Sequence, residues 1–291
     1  MPSDEPIPPE DAFELVGNDI RASIIQTLQE GFKNGERKMS YSSLKSRVGV
    51  RDSGRFNYHL QQLVGYFVEK DQAAYRLSYA GRKAASAIAG GTYNETVELE
   101  SRSVNGACLN CGDDALELTY NDVEFDISCT NCETSIVHMP FPPGAIASHR
   151  DGDLEAAFDR WARSWNMLSS TGVCPECGGR MEMGFAEEQG DPAIGNVDVR
   201  CTLNCTQCWM SGYLPVGCLL LEHPLVVSFY WNRGYDIRSS FIWEFEWALS
   251  KEYQEVHRPE KDLIKISVPL DDDELQITVD ESFEVVNTDK R

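Results

Sequence analysis

The sequence predicts an α+β protein with more than one domain, on three observations. The chain has 291 residues, enough for two or three domains of ordinary size. Apolar residues recur with helical spacing in the first third of the chain and alternate as in strands at several later places. Eight of the ten cysteines form four C-x-x-C pairs. We expect a first domain over 1–91, a polar linker over 92–104 and a second region over 105–291.

Two helices with recognisable starts open the first domain. Asn18 is placed to cap a helix over about 19–30, where apolar residues recur every three to four positions. Ser40 is placed to cap a second helix, with Met39 before the cap and Leu44 inside the helix forming a hydrophobic staple.

A third helix, a hairpin and a fourth helix complete the first domain. The third helix is expected over about 53–66, with one apolar face made of Phe56, Leu60, Leu63 and Phe67. Short strands follow near 67–70 and 74–78, and an alanine-rich helix follows over about 80–89. Three helices, a hairpin and a last helix are the element order of a winged helix-turn-helix.

Three stretches of this domain resemble the ArsR-like winged helix-turn-helix regulators of haloarchaea. They are G-N-D-I-R-A-S-I-I at 17–25, S-G-R-F-N-Y-H-L-Q-Q-L at 53–63 and Y-R-L-S-Y-A-G-R-K at 75–83. The resemblance implies a transcriptional regulator that binds double-stranded DNA. One departure lies in the turn between the two strands, where family members often carry glycine and this chain has Gln72-Ala73.

The charge of the chain is divided between its parts. The net charge is −21, yet residues 20–91 carry 12 Lys and Arg against 5 Asp and Glu, a net of +7. Residues 92–291 have a net charge of −22, and the first 19 residues supply the remaining −6. A basic block within an acidic chain is typical of a segment that contacts nucleic acid. The acidic excess elsewhere also fits a protein adapted to high cytoplasmic salt.

A helical wheel turns several polar residues of the third helix away from its apolar face. Arginine and glutamine can pair bidentately with guanine and adenine edges, and a tyrosine can contact a phosphate or a thymine methyl. The residues expected on the DNA bases are Gly54, Arg55, Tyr58, Gln61 and Gln62. Those expected on phosphates are Lys45, Arg47, Arg51 and Arg76. His59 borders the apolar face and is expected to be packed and hydrogen-bonded.

The four C-x-x-C pairs have the spacing of two metal sites. Zinc takes four thiolates in a tetrahedron, and a reducing cytosol disfavours disulfides. The expected ligands of one Zn²⁺ are Cys108, Cys111, Cys129 and Cys132, and those of a second are Cys174, Cys177, Cys205 and Cys208. Cys201 could take the place of Cys205, although the C-x-x-C rhythm favours Cys205. Four cysteines leave no coordination position for a water, so these sites are expected to be structural.

The residue that follows each C-x-x-C pair influences the backbone turn that holds the two cysteines at the metal. Gly112 and Gly178 follow the first pair of each site and permit a positive φ. Glu133 and Trp209 stand at the corresponding positions of the second pairs, where we expect the backbone to close differently.

The second region reads as a duplicated zinc ribbon with added helices and strands. The duplication flanks a helix over about 153–168, whose apolar seam is Leu154, Phe158, Trp161, Trp165 and Leu168. Another helix is expected around 225–231, and strands near 263–269 and 274–279. The alternating aromatics from Phe241 to Trp247 predict a half-buried strand. The layout is similar to the C-terminal zinc-ribbon region that accompanies the same winged helices in haloarchaea.

These features favour a cytoplasmic DNA-binding regulator and disfavour an enzyme. The chain carries no P-loop, no G-x-S-x-G and no H-E-x-x-H motif, and no secretory signal or membrane-length apolar run. A homodimer is expected, because single winged helices rarely reach specific affinity. The seam from Leu154 to Leu168 is one candidate dimer surface, although burial against the chain's own ribbons is favoured. Two alternatives remain: a basal factor resembling the archaeal relative of the initiation factor IIE large subunit, which contacts the transcription machinery, and a protein-binding adaptor.

Overall fold

The computed structural model describes residues 7–149, 152–187, 197, 199–257 and 263–290. Within it the chain divides into two compact units, Met1–Glu95 and Thr96–Arg291. Each unit has hydrophobic cores of its own. We describe the two units separately.

In its described residues, the first unit contains five helices and a small antiparallel sheet. Its elements are α1 (Pro9–Val16), α2 (Asp19–Lys33), β1 (Met39–Ser40), α3 (Tyr41–Val48), α4 (Ser53–Leu63), β2 (Val68–Asp71), β3 (Ala74–Leu77) and α5 (Tyr79–Ala89). The sheet has the order β1-β3-β2. Helix α2 packs against α3, α4, α5 and β3 and so forms the centre of the unit.

The predicted caps of α2 and α3 are confirmed. The Asn18 side chain accepts hydrogen bonds from the backbone N–H groups of Ile20 and Arg21. The Ser40 hydroxyl accepts one from Ser43 at 3.2 Å. Both caps satisfy backbone donors that have no partner within the helix.

Helix α4 ends at Leu63, earlier than the predicted 66. Its last turn stops because Val64 has extended backbone angles, φ −68° and ψ 128°. Phe67 therefore packs against the core from the loop that follows α4. A close approach holds this loop in place, since a Cβ on Gly81 of α5 would lie 2.0 Å from the carbonyl oxygen of Phe67. Only glycine fits there.

The second unit contains three antiparallel sheets and five helices in the described residues. Its first half comprises β4 (Arg102–Ser103), β5 (Leu116–Asn121), β6 (Glu124–Cys129), β7 (Ser135–Pro140), α6 (Pro143–Ser148) and α7 (Leu154–Ser170). Its second half comprises β8 (Met181–Glu187), β9 (Val199–Cys205), β10 (Ser211–Pro215), α8 (Val216–Leu220), α9 (Pro224–Trp231), α10 (Glu246–Leu249), β11 (Gln254–His257), β12 (Leu263–Leu270), β13 (Asp273–Val279) and β14 (Val285–Lys290). The sheet orders are β4-β5-β6-β7, β10-β9-β8 and β11-β12-β13-β14.

The two cysteine-bearing halves repeat one arrangement. In each, an antiparallel hairpin is joined by a third strand, β7 or β10, and a short helix follows directly. Both short helices begin after a proline in extended conformation, Pro142 or Pro215. The internal duplication read from the sequence is therefore present in the backbone.

The segment predicted as a linker, 92–104, is divided by the structure. Arg102–Ser103 pairs with β5, and Val97, Leu99 and Val104 pack against the core of the second unit. The later part of this segment is thus an ordered part of that unit.

The strand predicted over Phe241 to Trp247 is wrong. This segment forms a 3₁₀ turn at Ile242–Glu244 and then α10. The Glu244 carboxylate accepts the Phe241 N–H at 2.6 Å, and the Asp159 carboxylate accepts the Ile242 N–H at 2.7 Å. These two carboxylates accept backbone N–H groups that would bond to a neighbouring strand if the segment were extended.

Helix α7 buries one side along most of its length. The predicted seam lies against the chain's own core, with Leu154 and Phe158 fully buried, so it is not a free surface for dimerisation. Arg163, also buried, donates to Asp159 at 2.9 Å, to Glu222 at 2.7 Å and to the carbonyl of Ser240 at 3.0 Å. This network joins α7 to the segment before α10.

Candidate metal centres and nucleic-acid interface

The first cysteine group brings together both C-x-x-C pairs of the first sheet. Cys108 and Cys111 precede β5, and Cys129 and Cys132 lie at the turn between β6 and β7. The Sγ atoms of Cys108 and Cys132 are 3.5 Å apart, and those of Cys111 and Cys129 are 3.7 Å apart. All four Sγ atoms lie within 4.8 Å of one another.

The second group has the same geometry in the second sheet. The Sγ atoms of Cys174 and Cys208 are 3.7 Å apart, and those of Cys177 and Cys205 are 3.6 Å apart. All four again lie within 4.8 Å of one another. The structure thus brings together all eight cysteines predicted as ligands.

These distances fit one metal ion in each group. Four thiolates at 2.3 Å from a tetrahedral ion are about 3.8 Å from one another. A disulfide would require about 2.05 Å between two sulfurs, and all ten cysteines are free. A centre closed by four thiolates can hold local structure but has no place for a reacting water.

The backbone closes around three of the four pairs in the same way. The N–H of the residue after the pair donates to the carbonyl of the first cysteine, at 2.8 Å for Gly112, 2.9 Å for Gly178 and 2.9 Å for Glu133. All three residues have positive φ, which for Glu133 is 60°. The expectation that Glu133 would close differently is therefore wrong. Trp209 is absent from the positive-φ residues of the described chain, so at that pair the expectation is confirmed.

Hydrogen bonds to sulfur favour the thiolate form in each group. The Cys132 sulfur is hydrogen-bonded to the Thr134 hydroxyl at 3.3 Å and to the Asn110 amide at 3.6 Å, which lower the pKa of Cys132 to about 6. The backbone N–H groups of Cys208 and Gln207 lower the pKa of Cys205 to about 6 in the same manner. Each group therefore contains one thiol that is deprotonated at neutral pH.

Sequence reasoning missed Asn110 and Thr134. Asn110 lies within the first pair and reaches Cys132 because the two pairs face each other, whereas Thr134 follows Cys132 by two residues on the same turn. Their position next to a ligand was the only signal in the sequence. Hydrogen bonds of this kind orient metal ligands.

Cys201 and Cys218 belong to neither group. Cys201 lies in β9 with 0 % exposure, paired across the sheet with Phe185 and Leu214. Burial raises the pKa of Cys201 to about 12 and that of Cys218 to about 12. Both behave as small apolar core residues, and Cys205 rather than Cys201 completes the second group.

The polar face predicted on α4 is exposed. Phe56, Leu60 and Leu63 of this helix are fully buried, as predicted. The opposite side is open to solvent at every position predicted to contact bases, namely Gly54, Arg55, Tyr58, Gln61 and Gln62. Tyr58 is 58 % exposed although it is a large aromatic residue.

The residues predicted to contact phosphates have different surroundings. Arg47 pairs with Glu36 at 2.6 Å and Arg76 with Glu69 at 2.7 Å, both at the surface. Lys45 of α3 donates to the Ser53 hydroxyl of α4 at 2.7 Å. Arg51 and Arg55 make no ion pair with the described residues and are exposed. Surface pairs of this kind are weak.

His59 is packed as expected but lacks the expected hydrogen bond. Its Nδ1 is buried without a partner among the described residues, and its ring contacts Tyr58 edge to face. Burial and the charges of Arg21 and Arg55 lower the pKa of His59 below its ordinary value. The ring is therefore neutral at physiological pH.

No helix in the described parts of the chain is both long and apolar enough to cross a bilayer. A family model described as "Domain of unknown function (DUF7351)" matches residues 105–285. A second model, described as "Domain of unknown function (DUF7347)", matches residues 9–88. Comparison with curated proteins and with solved structures found no match.

Proposed function

The chain belongs to the DUF7351 family, and we propose that it is a sequence-specific regulator of transcription that binds double-stranded DNA through its first unit. The observation that carries the proposal is the exposed polar face of α4. This face lies on a helix whose other side forms the core, within a stretch, residues 20–91, that has a net charge of +7 in an acidic chain.

We infer that the first unit is a winged helix-turn-helix. In this proposal α3 and α4 form the helix-turn-helix, α4 enters the major groove, and β2 with β3 forms the wing. The contacts between Lys45 and Ser53, and between the Tyr41 hydroxyl and the Ser53 carbonyl at 3.2 Å, hold the start of α4 against α3. A fixed angle between the two helices is what groove recognition requires.

Substitutions on the two classes of contact test this proposal. We expect Arg55→Ala to relax the base preference at one position and to weaken binding to the preferred duplex by about tenfold or more. Lys45→Ala should weaken binding to all duplexes alike. Arg238→Ala removes an exposed arginine of the second unit and is the matched control. It should change neither the base preference nor the affinity for DNA. Unchanged preference and affinity in Arg55→Ala would contradict the assignment of α4 to the groove.

We propose that each cysteine group holds one structural Zn²⁺, two per chain. Four thiolates in a tetrahedron suit zinc, and a reducing cytoplasm keeps the thiols available. Native mass spectrometry of protein never exposed to chelator should show the chain with two zinc ions. Cys108→Ser and Cys174→Ser should each lose one zinc and leave the first unit folded. A mass equal to the metal-free chain would contradict the proposal.

A second candidate function is contact with the transcription machinery or another protein partner. Trp209, directly after Cys208, is 72 % exposed, and Tyr213 on β10 is 53 % exposed. Exposed aromatic residues are typical of protein interfaces. Affinity capture with and without nuclease separates the two functions, because contact with RNA polymerase survives nuclease and operator-mediated association does not.

The proposal includes a homodimer, since paired winged helices read two half-sites about one helical turn apart. Equilibrium sedimentation of the full chain, alone and with DNA, measures this state directly.

A further inference from the structure

A cavity of about 150 Å³ lies inside the second unit. It is bordered by α7 on one side and by the third strand of each cysteine-bearing sheet, β7 and β10, on the others. The side chains around it are mainly apolar, and they include no Asp, Glu, Lys or Arg. Among the residues around it only His138 can carry a positive charge, so this composition favours a neutral occupant.

The cavity occurs where two hydrophobic cores meet. Ile136 of β7 and Leu249 of α10 belong to the core of the first sheet, whereas Leu203 and Met210 belong to that of the second. Met139 packs against both cores and also borders the cavity. The exposed side chain of Tyr213 borders it too, which places one side of the cavity near solvent.

One polar group at this cavity has no partner. Ser169 of α7 is 1 % exposed, and its hydroxyl makes no hydrogen bond among the described residues. Other serines of the same helix behave differently, since Ser164 donates to the Arg160 carbonyl at 2.8 Å and Ser170 to the Met167 carbonyl at 3.0 Å. A buried hydroxyl without a partner costs free energy that a bound hydrogen-bonding group would recover.

A second polar side chain stands beside Ser169. Asn166 precedes it by three positions on α7, so the two side chains share one helix face, and both border the cavity. Asn166 is 8 % exposed. Together they place a hydroxyl and an amide at one side of an otherwise apolar space.

We propose that this cavity binds a small neutral molecule with a single aromatic ring and one hydrogen-bonding group, which the Ser169 hydroxyl contacts. An apolar cavity of about this size in another protein accepts benzene. Trp165, Met139 and Met210 border the space, and indole rings and thioethers are side-chain types that favour contact with an aromatic ring. The site belongs to the second unit alone and does not depend on the proposed DNA binding.

Phenol and toluene are matched probes for this site, because they have similar size and only phenol carries a hydroxyl. Each is titrated into the full metal-loaded chain while protein resonances are followed by NMR. We expect saturable binding of one phenol per chain, tighter than that of toluene. Ser169→Ala should lower the affinity for phenol about tenfold, which is the loss expected for one hydrogen bond. It should leave the affinity for toluene unchanged.

Two further variants complete the experiment. Ala162→Leu places extra volume at the cavity wall and should abolish binding of both probes. Ser164→Ala removes an exposed hydroxyl of the same helix and should leave the affinity for both probes unchanged. Ser169→Ala removes a group without a partner, so its melting temperature should not fall, and it remains informative if Ala162→Leu does not fold. Absence of saturable phenol binding, as for a cavity that holds only water, would overturn the proposal, and so would equal phenol affinity in the wild type and Ser169→Ala.

Discussion

At the scale of single residues, Glu133 and Gly112 show how the first metal centre is closed. They occupy corresponding positions after their cysteine pairs, and both have positive φ, 60° and 77°. Only glycine adopts this conformation without cost, so Glu133 is strained. Its side chain is exposed and makes no hydrogen bond or ion pair with the described residues.

Glu133→Gly should therefore stabilise the second unit. We expect a gain of up to about 1 kcal/mol in the free energy of unfolding, and a loss of about 1 kcal/mol for Gly112→Ala, whose Cβ would contact nothing within 4 Å. Thermal unfolding of the metal-loaded chain measures both. Glu133→Ala is the control, because it removes the charge and keeps the strain. A gain in Glu133→Ala equal to that in Glu133→Gly would show that charge and not backbone strain is responsible.

The sequence predicts metal ligands far better than the residues around them. A C-x-x-C pair places two thiols at one turn wherever it occurs, so all eight cysteines in the two groups were identified from spacing. Asn110 contacts Cys132 only because the two turns of one sheet face each other, whereas Thr134 contacts it from two residues further along the same turn. How the two turns face each other depends on the register of the strands, which the C-x-x-C spacing does not specify.

At the scale of elements, α7 depends on the buried Arg163. Its guanidinium donates to Asp159, to Glu222 and to the carbonyls of Ile237 and Ser240, and it lies 5.7 Å from the centre of the Phe245 ring. Asp159, one of its two carboxylate partners, is also buried and accepts the Ile242 N–H. Without Arg163 the Asp159 carboxylate would be buried with no cation beside it.

Arg163→Met should destabilise the second unit by about 3–5 kcal/mol, the usual cost of a buried charge that has lost its partner. Urea unfolding of the full chain, followed by tryptophan fluorescence, measures the change. Arg160→Met, at an exposed position of the same helix, should cost less than about 0.5 kcal/mol. Equal effects of the two substitutions would mean that the network does not hold α7 in place.

Helix starts were predictable from sequence, and edge strands were not. The caps at Asn18 and Ser40 follow from local chemistry that the chain carries in a few adjacent residues. The outer strands β11 and β14 have mostly exposed side chains without an apolar face, so no alternation marks them. The aromatic segment after Phe241 has strand-like alternation, but its backbone hydrogen bonds are made by Asp159 and Glu244.

At the scale of the whole molecule, the division of charge should shape the response to salt. Residues 20–91 have a net charge of +7 and residues 92–291 of −22. DNA is attracted by the first and repelled by the second, and at 1 M salt both interactions are screened beyond about 3 Å. Screening therefore removes repulsion as well as attraction.

We expect the affinity of the full chain for its preferred duplex to change little, or to rise, between low and molar KCl. The first unit alone, Met1–Glu95, has its own core, contains the basic stretch 20–91 and lacks the acidic second unit, so it should lose affinity more steeply than the full chain. Fluorescence anisotropy titrations at a series of KCl concentrations compare the two. An equally steep loss in the full chain would show that the acidic part does not influence binding.

The whole-molecule features that the sequence did not reveal arise between distant segments. The cavity beside Ser169 is bordered by residues from 136 to 249, and no local pattern relates them. The duplication was visible because each half repeats its motifs in order. A void at the junction of the two halves depends instead on how closely their cores pack, which is a property of the folded unit.

The central claim, that α4 reads a DNA sequence, is tested most directly by selection from a random duplex library with the full metal-loaded chain. We predict enrichment of one motif, arranged as two half-sites about one helical turn apart, and a broadened motif for Arg55→Ala. Recovery of duplexes with no common sequence, in wild type and variant alike, would contradict the account.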